Sequence, residues 1–211
     1  MSLSEFFLRH QREIFQATAE HVWLVGVTML IAVAIGVPLG VLVTRRPLLS
    51  KPILGGANIA ETIPSLALFG FLLPVPWLGE RSDRLAIAAL VLYALLPIIR
   101  NTSAGIQNVD PAIREAARGM GMTDWQILRQ VEVPLSLSTV LAGVRVATVL
   151  TIGIATIAAA VGSGGLGEFI FRGLAMVNNQ LILAGAIPAA LLALAADYLL
   201  GVMEKRVRPA R

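Results

Sequence analysis

The chain has no cysteine in its 211 residues, which excludes a disulfide framework and any thiolate-bound metal. It has only two histidines, His10 and His21, both near the N-terminus. A histidine-rich metal cluster is therefore excluded too, and no Ser/His, His/Glu or paired-carboxylate arrangement for an enzyme is legible. Charge is scarce at 14% Asp, Glu, Lys and Arg, against about 25% in a soluble domain. The net charge of +4 is too small a bias to suggest nucleic acid as a partner. No G-x-x-x-x-G-K-[ST] run is present, so the chain itself holds no P-loop for ATP. Internal repeats and low-complexity linkers are also missing. What is abundant is apolar side chain, 56% of the residues.

This is the composition of a polytopic membrane protein. A helix needs about 20 mainly apolar residues to cross a bilayer. Five stretches qualify, roughly 22–43, 53–74, 85–106, 135–161 and 181–203. The expected fold class is all-α, with about five transmembrane helices in one domain over 21–206. Residues 1–20 alternate apolar and charged positions at helical spacing and predict an amphipathic helix lying in the membrane interface. They do not read as a secretory signal, since acids are mixed with the bases and no apolar core with a cleavage site precedes them. Residues 207–211 are expected to form a cytoplasmic tail.

Orientation follows from Lys and Arg. With the N-terminus outside, the cytoplasm receives eleven: Arg45, Arg46, Lys51, Arg100, Arg114, Arg118, Arg129, Lys205, Arg206, Arg208 and Arg211. The outside receives five: Arg9, Arg12, Arg81, Arg84 and Arg172. The expectation is N-out, C-in.

One polar stretch, within loop 110–134, interrupts the apolar runs. Asp110-Pro111 is a helix-start signal, with a capping side chain followed by a residue suited to the first helical position. Ala112 to Arg118 are mostly good helix formers, and Gly119 and Gly121 then end the run. Thr123 or Asp124 can cap a second short helix over Trp125–Gln130, and Pro134 opens the next span. The pattern is short helix, glycine turn, short helix, membrane.

Its spacing is specific. Glu115-Ala116-Ala117 is followed after three residues by Gly121, and after nine more by Val131-Glu132-Val133-Pro134. This resembles the EAA signature of the membrane subunits of ABC importers, with Val131 standing for Ile and Val133 for Leu. Further runs narrow the resemblance: Ala60 to Leu68 (AETIPSLAL), Leu96 to Thr102 (LPIIRNT), Thr151-Ile152-Gly153, Gly162 to Gly167 (GSGGLG) and Leu183 to Ala190 (LAGAIPAA). Over residues 20–206 the chain is similar to permeases of the osmoprotectant class, which import glycine betaine, carnitine or choline. That family usually has Gln where this chain has Glu61. The resemblance implies a type I permease in the bacterial inner membrane with no cofactor of its own. It implies three partners: a cytoplasmic ATPase that binds ATP and Mg, a separate extracytoplasmic solute-binding protein, and a second permease subunit of the same or a sister chain. Membrane lipid would surround them. Glu115, Ala116, Ala117 and Gly121 would then form the ATPase-coupling element, with Gly119, Trp125 and Pro134 beside them.

Ionisable residues inside spans are costly and are usually paired or face a cavity. Glu61 lies roughly 14 Å along its helix from Pro52, and Arg145 roughly 16 Å from Pro134, at 1.5 Å per residue. The matched depths predict a Glu61–Arg145 ion pair, or alternatively a Glu61 that faces the translocation path. Asp197 and Arg100 lie nearer the cytoplasmic end as a second possible pair. Pro38, Pro64, Pro97 and Pro188 fall inside spans and predict interruptions. Thr62 and Ser65 stand ready to satisfy backbone groups freed at Pro64. The scattered aromatics read as interfacial belt or packing, Trp125 excepted. GSGGLG lacks the Lys-Ser/Thr ending of a phosphate loop and reads as an extracellular turn or gate. The competing readings are an ABC permease for an amino acid such as methionine, and an ion-coupled secondary transporter using Glu61 and Asp197. The second is disfavoured by the EAA spacing and the missing inverted repeats.

Overall fold

The structure, a computed structural model, describes residues 3–207, with the side chains of Leu3 and Ser4 left aside. Most of the expected tail, including Arg208 and Arg211 of the charge count, lies outside the described residues, as do Met1 and Ser2. Among the described residues the order is α1 (Leu3–Arg9), α2 (Gln11–Arg45), α3 (Pro47–Thr62), α4 (Ser65–Leu72), α5 (Ser82–Gln107), α6 (Pro111–Gly119), α7 (Asp124–Ile127), a π-helical turn (Leu128–Glu132), α8 (Val133–Ala158), a short 3₁₀ turn (Ala159–Val161), α9 (Gly167–Ala175) and α10 (Asn179–Arg206). The chain is all-helical, as its composition requires.

Four helical stretches, Gln11–Arg45, Ser82–Gln107, Asp124–Val161 and Asn179–Arg206, are long and apolar enough to cross a membrane. The fifth expected span, 53–74, is instead a bent pair: α3 and α4 meet at 106° around Ile63–Pro64. The other prolines behave differently. Pro38, Pro97 and Pro188 sit inside continuous helices. A lone proline removes one helix hydrogen bond, which close neighbouring helices tolerate. The N-terminal stretch also departs from expectation. Its helix breaks at His10, and from Gln11 it runs without interruption into the first span.

Helix α5 is the axis of the bundle, packing on α2 and α8 along its length and on α3 and α4. Small residues allow the backbones to approach. Gly36 and Gly40 form a G-x-x-x-G pair on α2, facing Ile98 and Thr102 of α5. On α8, a Cβ at Gly143 would stand 2.5 Å from Asn101 Cβ and 2.8 Å from the Pro97 carbonyl oxygen. The main core contains Leu24, Phe69, Leu90, Ile98, Ala147 and Ala155. A second cluster, with Phe6, Ile14, Leu166, Phe169 and Leu181, secures α1 and α9 against α2 and α10.

The close α5–α8 crossing gives a test. Gly143→Val is expected to wedge the helices apart and cost about 1–3 kcal/mol, as overpacked cores do. Thermal unfolding of the purified protein would register this as a fall of roughly 2–4 °C per kcal/mol. An unchanged midpoint would contradict the packing described.

Candidate functional site

The loop between α5 and α8 is fully ordered by its own side chains. Asp110 caps α6 by accepting from the Ala112 N–H at 2.8 Å, with Pro111 in the first turn. The helix ends in a Schellman turn: the Gly121 N–H donates to Arg118 C=O (2.9 Å) and the Met122 N–H to Ala117 C=O (3.1 Å). Gly121 sits at φ 81°, the left-handed conformation that this turn demands. Gly119 is the last helical residue of α6, outside the positive-φ positions, so of the two expected breakers Gly121 does the turning. Thr123 caps α7 through a reciprocal box with Gln126, whose side chain accepts from the Thr123 N–H at 2.8 Å.

Beyond α7 the expected gap before the fourth span is absent. Helix α7 passes through the π-helical turn Leu128–Glu132 directly into α8. Pro134 lies in the first turn of α8 and has no N–H for the Gln130 carbonyl, and the looser turn precedes that missing bond. Helix α7 and the membrane helix behind it are thus one continuous helix.

Two faces of this element differ. Ala117 is buried at 1% exposure against the protein's own helices. Glu115 and Ala116 are exposed. So are three large apolar side chains, Ile113 (43%), Met120 (75%) and Trp125 (67%). Of the two alanines of the motif, only Ala116 is available to a partner.

Glu132 fastens the element from behind. Its side chain is 2% exposed, yet it is a carboxylate. It accepts from the Arg45 guanidinium at the end of α2, and Arg114 Nε of α6 lies 3.0 Å from its other oxygen, as an ion-pair contact off the hydrogen-bond axis. Arg114 also donates to the carbonyl of Ile106 at the end of α5 and to that of Gln107 at 3.4 Å. One buried acid thereby ties α2, α5, α6 and α8 together. Sequence reasoning passed over Glu132 as the variable position between Val131 and Val133. The available signal was an acid at the mouth of a span, facing a loop rich in arginine.

Inside the bundle, the expected Glu61–Arg145 pair does not form. Arg145 makes a two-pronged bond to Asp197 of α10 (Nε–Oδ1 2.6 Å, Nη2–Oδ2 2.7 Å) and reaches Glu204 at 3.4 Å. Helix α8 packs on α10, whereas α3 packs on α5 and α2, so equal depth did not mean a shared side. Gly201 leaves room for the guanidinium: a Cβ there would lie 3.1 Å from Arg145 Nη1. The suggested Asp197–Arg100 pair is also absent, and Arg100 donates to Asn58 Oδ1 at 3.2 Å. Glu61 lies half-buried in the last turn of α3. At the break beyond it, Tyr93 of α5 donates its hydroxyl to the freed carbonyl of Ile63. Thr62 bonds back to the Ile59 carbonyl at 2.8 Å. Tyr93 thus holds the break from outside, a role expected of Thr62 and Ser65.

At the far end of the bundle the glycine run turns on Gly162, Gly164 and Gly165, all at positive φ. The Gly165 N–H donates to the Glu20 carboxylate at 3.2 Å, and His21 Nε2 lies 3.1 Å from the Ile152 carbonyl.

A family model described as "binding-protein-dependent transport system inner membrane component" matches residues 36–209. The chain belongs to that family. It is a transport permease. Among similar proteins it is 41% identical to the carnitine transport permease protein OpuCB of Listeria monocytogenes, over 97% of this chain and 92% of that one. It is 41% identical to the osmoprotectant import permease protein OsmW of Salmonella typhimurium, over 99% and 98%. It is 39% identical to the choline transport system permease protein OpuBB of Bacillus subtilis, over 98% and 94%. The permease fold matches the MetNI methionine ABC transporter in an inward-facing conformation, with a TM-score of 0.83 at 22% identity, covering 93% of this chain and 96% of that one. At that identity the match establishes the type I fold and not the solute.

Two expectations follow for the permease. Glu132→Gln removes the charge that two arginines share and should lower the thermal midpoint. The loss should fall below the roughly 3–5 kcal/mol of a fully buried pair, because Arg45 and Arg114 are 36% and 24% exposed. For the second charge cluster, Asp197→Leu alone should destabilise more than Asp197→Leu combined with Arg145→Met, because the single change leaves the guanidinium with only its 3.4 Å contact to Glu204. Strictly additive midpoint losses across that cycle would contradict the pairing.

Proposed function

We propose that this permease is the membrane subunit of an ATP-driven, binding-protein-dependent importer of compatible solutes such as glycine betaine, choline or carnitine. The observation that carries the proposal is the capped α6–α7 element, which exposes an apolar face and whose second helix, α7, continues without a break into α8. In this reading a cytoplasmic ATPase docks on Ile113, Glu115, Ala116, Met120 and Trp125 and carries the ATP and Mg. Closure of the ATPase moves α6 and α7. The helical continuity into α8 and the Glu132 clasp to α2 and α5 pass that motion on as rigid-body tilts. Solute arrives from a separate extracytoplasmic binding protein. A second permease subunit completes the path, with the N-terminus outside and the C-terminus in the cytoplasm of the bacterial inner membrane. The solute class rests on the carnitine, glycine betaine and choline permeases to which the chain is about 40% identical over nearly its whole length.

The test is uptake into proteoliposomes holding the permease with its ATPase and binding protein. Glycine betaine or choline should enter only with ATP inside. Gly121→Val forces a β-branched residue into the left-handed region, where ordinary residues pay roughly 1–2 kcal/mol, and should abolish most uptake. Trp125→Asp should cut retention of the ATPase on purification while leaving the permease's thermal midpoint near wild type. Uptake driven by an ion gradient without ATP would overturn the proposal.

A further inference from the structure

The break between α3 and α4 gives the bundle an inner and an outer side. Tyr93 stands near the middle of α5, so the Ile63 carbonyl that it holds lies at mid-bilayer depth. Non-helical backbone at that depth is kept from lipid, by protein or by water. Pro64 is exposed on this chain, so a second subunit or an aqueous path meets it. Either way, that side belongs to the inside of the assembly. Helix α5 shows where the other side lies. Its Tyr93 and Arg100 turn to α3, its Pro97, Asn101 and Gly105 to α8, and its Ile98 and Thr102 to α2. With about 3.6 residues per turn, the seam between α2 and α8 lies roughly 130° round α5 from α3. The seam therefore faces away from the inside of the assembly, toward lipid.

The seam is not flush. Helices α2 and α10 both pack on α8 and scarcely on each other, which leaves a groove of about 750 Å³ between them. Its walls are apolar, with Met29, Leu30 and Val33 on one side and Leu192, Ala195 and Leu199 on the other. A Cβ at Gly26 would meet nothing within 4 Å, so the groove is open there. Its two polar side chains are turned to backbone: Thr148 donates to the Val144 carbonyl at 2.8 Å, and His21 Nε2 to that of Ile152 at 3.1 Å. His21 Nδ1, without a partner among the described residues, lies beside Gly165 at the polar end of the bundle. From His21 to Ala34 the groove runs roughly 20 Å along α2. Ala34 and Val144 each lie 11 residues, roughly 16 Å, from the far ends of their helices at Arg45 and Val133. The groove thus stops near the centre of a hydrocarbon core about 30 Å thick. A partner's helix would need the whole thickness. A 20 Å length of helix about 10 Å across would also fill on the order of 1,600 Å³, twice the groove. A thin apolar chain from one leaflet fits both length and volume. We infer that this groove holds one acyl chain of a membrane phospholipid, entering at the His21 end, and that the chain joins α2 to α10. The inference needs the spans and not the solute.

The experiment is photolabelling of the permease–ATPase complex in nanodiscs of phosphatidylethanolamine and phosphatidylglycerol. A phosphatidylethanolamine with a diazirine on one acyl chain is the probe, and mass spectrometry locates the adducts. Ile35, exposed on α2 outside the groove, is the internal control. Per exposed area, Leu30 and Leu199 should be labelled at least about fivefold more than Ile35, since a chain packed on three sides makes many more close contacts. Gly26→Phe fills the groove from a position with room for a side chain. It should remove that excess, leave Ile35 as in wild type and keep the thermal midpoint near wild type. If Gly26→Phe does not assemble, Ala195→Phe fills the groove from the facing wall and decides in its place. Equal labelling of groove and control would mean ordinary surrounding lipid only and would overturn the inference. So would labelling of Ile35 with none in the groove, which would put another protein there, or an excess that survives filling. ATP-driven uptake that persists through any of these failures leaves the importer reading standing.

Discussion

A carboxylate almost wholly removed from solvent needs partners, and Glu132 finds two in arginines from separate helices. Much of the permease's organisation at that end depends on this contact. Arg45 fixes the end of the first span, Arg114 fixes the first loop helix, and Arg114 in turn holds the last carbonyls of α5. The acid is delivered by a π-helical turn at the mouth of α8. Removing it would leave two cations facing each other across three helix ends. On the proposed reading, displacement of the loop would be passed through this junction to α2, α5 and α8 together.

The same economy governs the rest of the bundle. Without water to drive helices together inside a bilayer, contact comes from close packing at small residues. Gly36, Gly40 and Gly143 supply it around α5. Several polar groups within the bundle are settled by particular partners: Arg145 by Asp197 and Glu204, the Ile63 carbonyl by Tyr93, the Gly165 amide by Glu20, while the buried hydroxyls of Thr28 and Thr102 have none among the described residues.

Much of this was legible in the sequence because it is local. The Asp110 cap, the turn at Gly121 and the Thr123 cap are written within a few residues of where they act, and the structure forms all three. The four unbroken spans followed from apolar length alone. What could not be read was rotational. Residue counting gives a height along a helix and not the direction a side chain faces, so Glu61 and Arg145 matched in depth while packing against different neighbours. Proline was ambiguous for a similar reason. Pro64 breaks its helix where Pro38, Pro97 and Pro188 do not, and the Tyr93 hydroxyl that holds the break comes from 30 residues away. Glu132 was hidden because its partners lie on other elements. The seamless join of α7 to α8 was missed because Pro134 looked like a start signal, yet a π-helical turn absorbs it within one helix.

The central claim is that the loop and the spans move as one body through Glu132. The direct measurement is the number of ATP molecules hydrolysed per solute imported, for wild type and Glu132→Gln, in the same reconstituted importer. The account predicts that the variant keeps most of its ATP hydrolysis while uptake falls at least about tenfold, a loss on the order of 1.4 kcal/mol in coupling. A ratio equal to that of wild type, with both rates reduced in step, would contradict it.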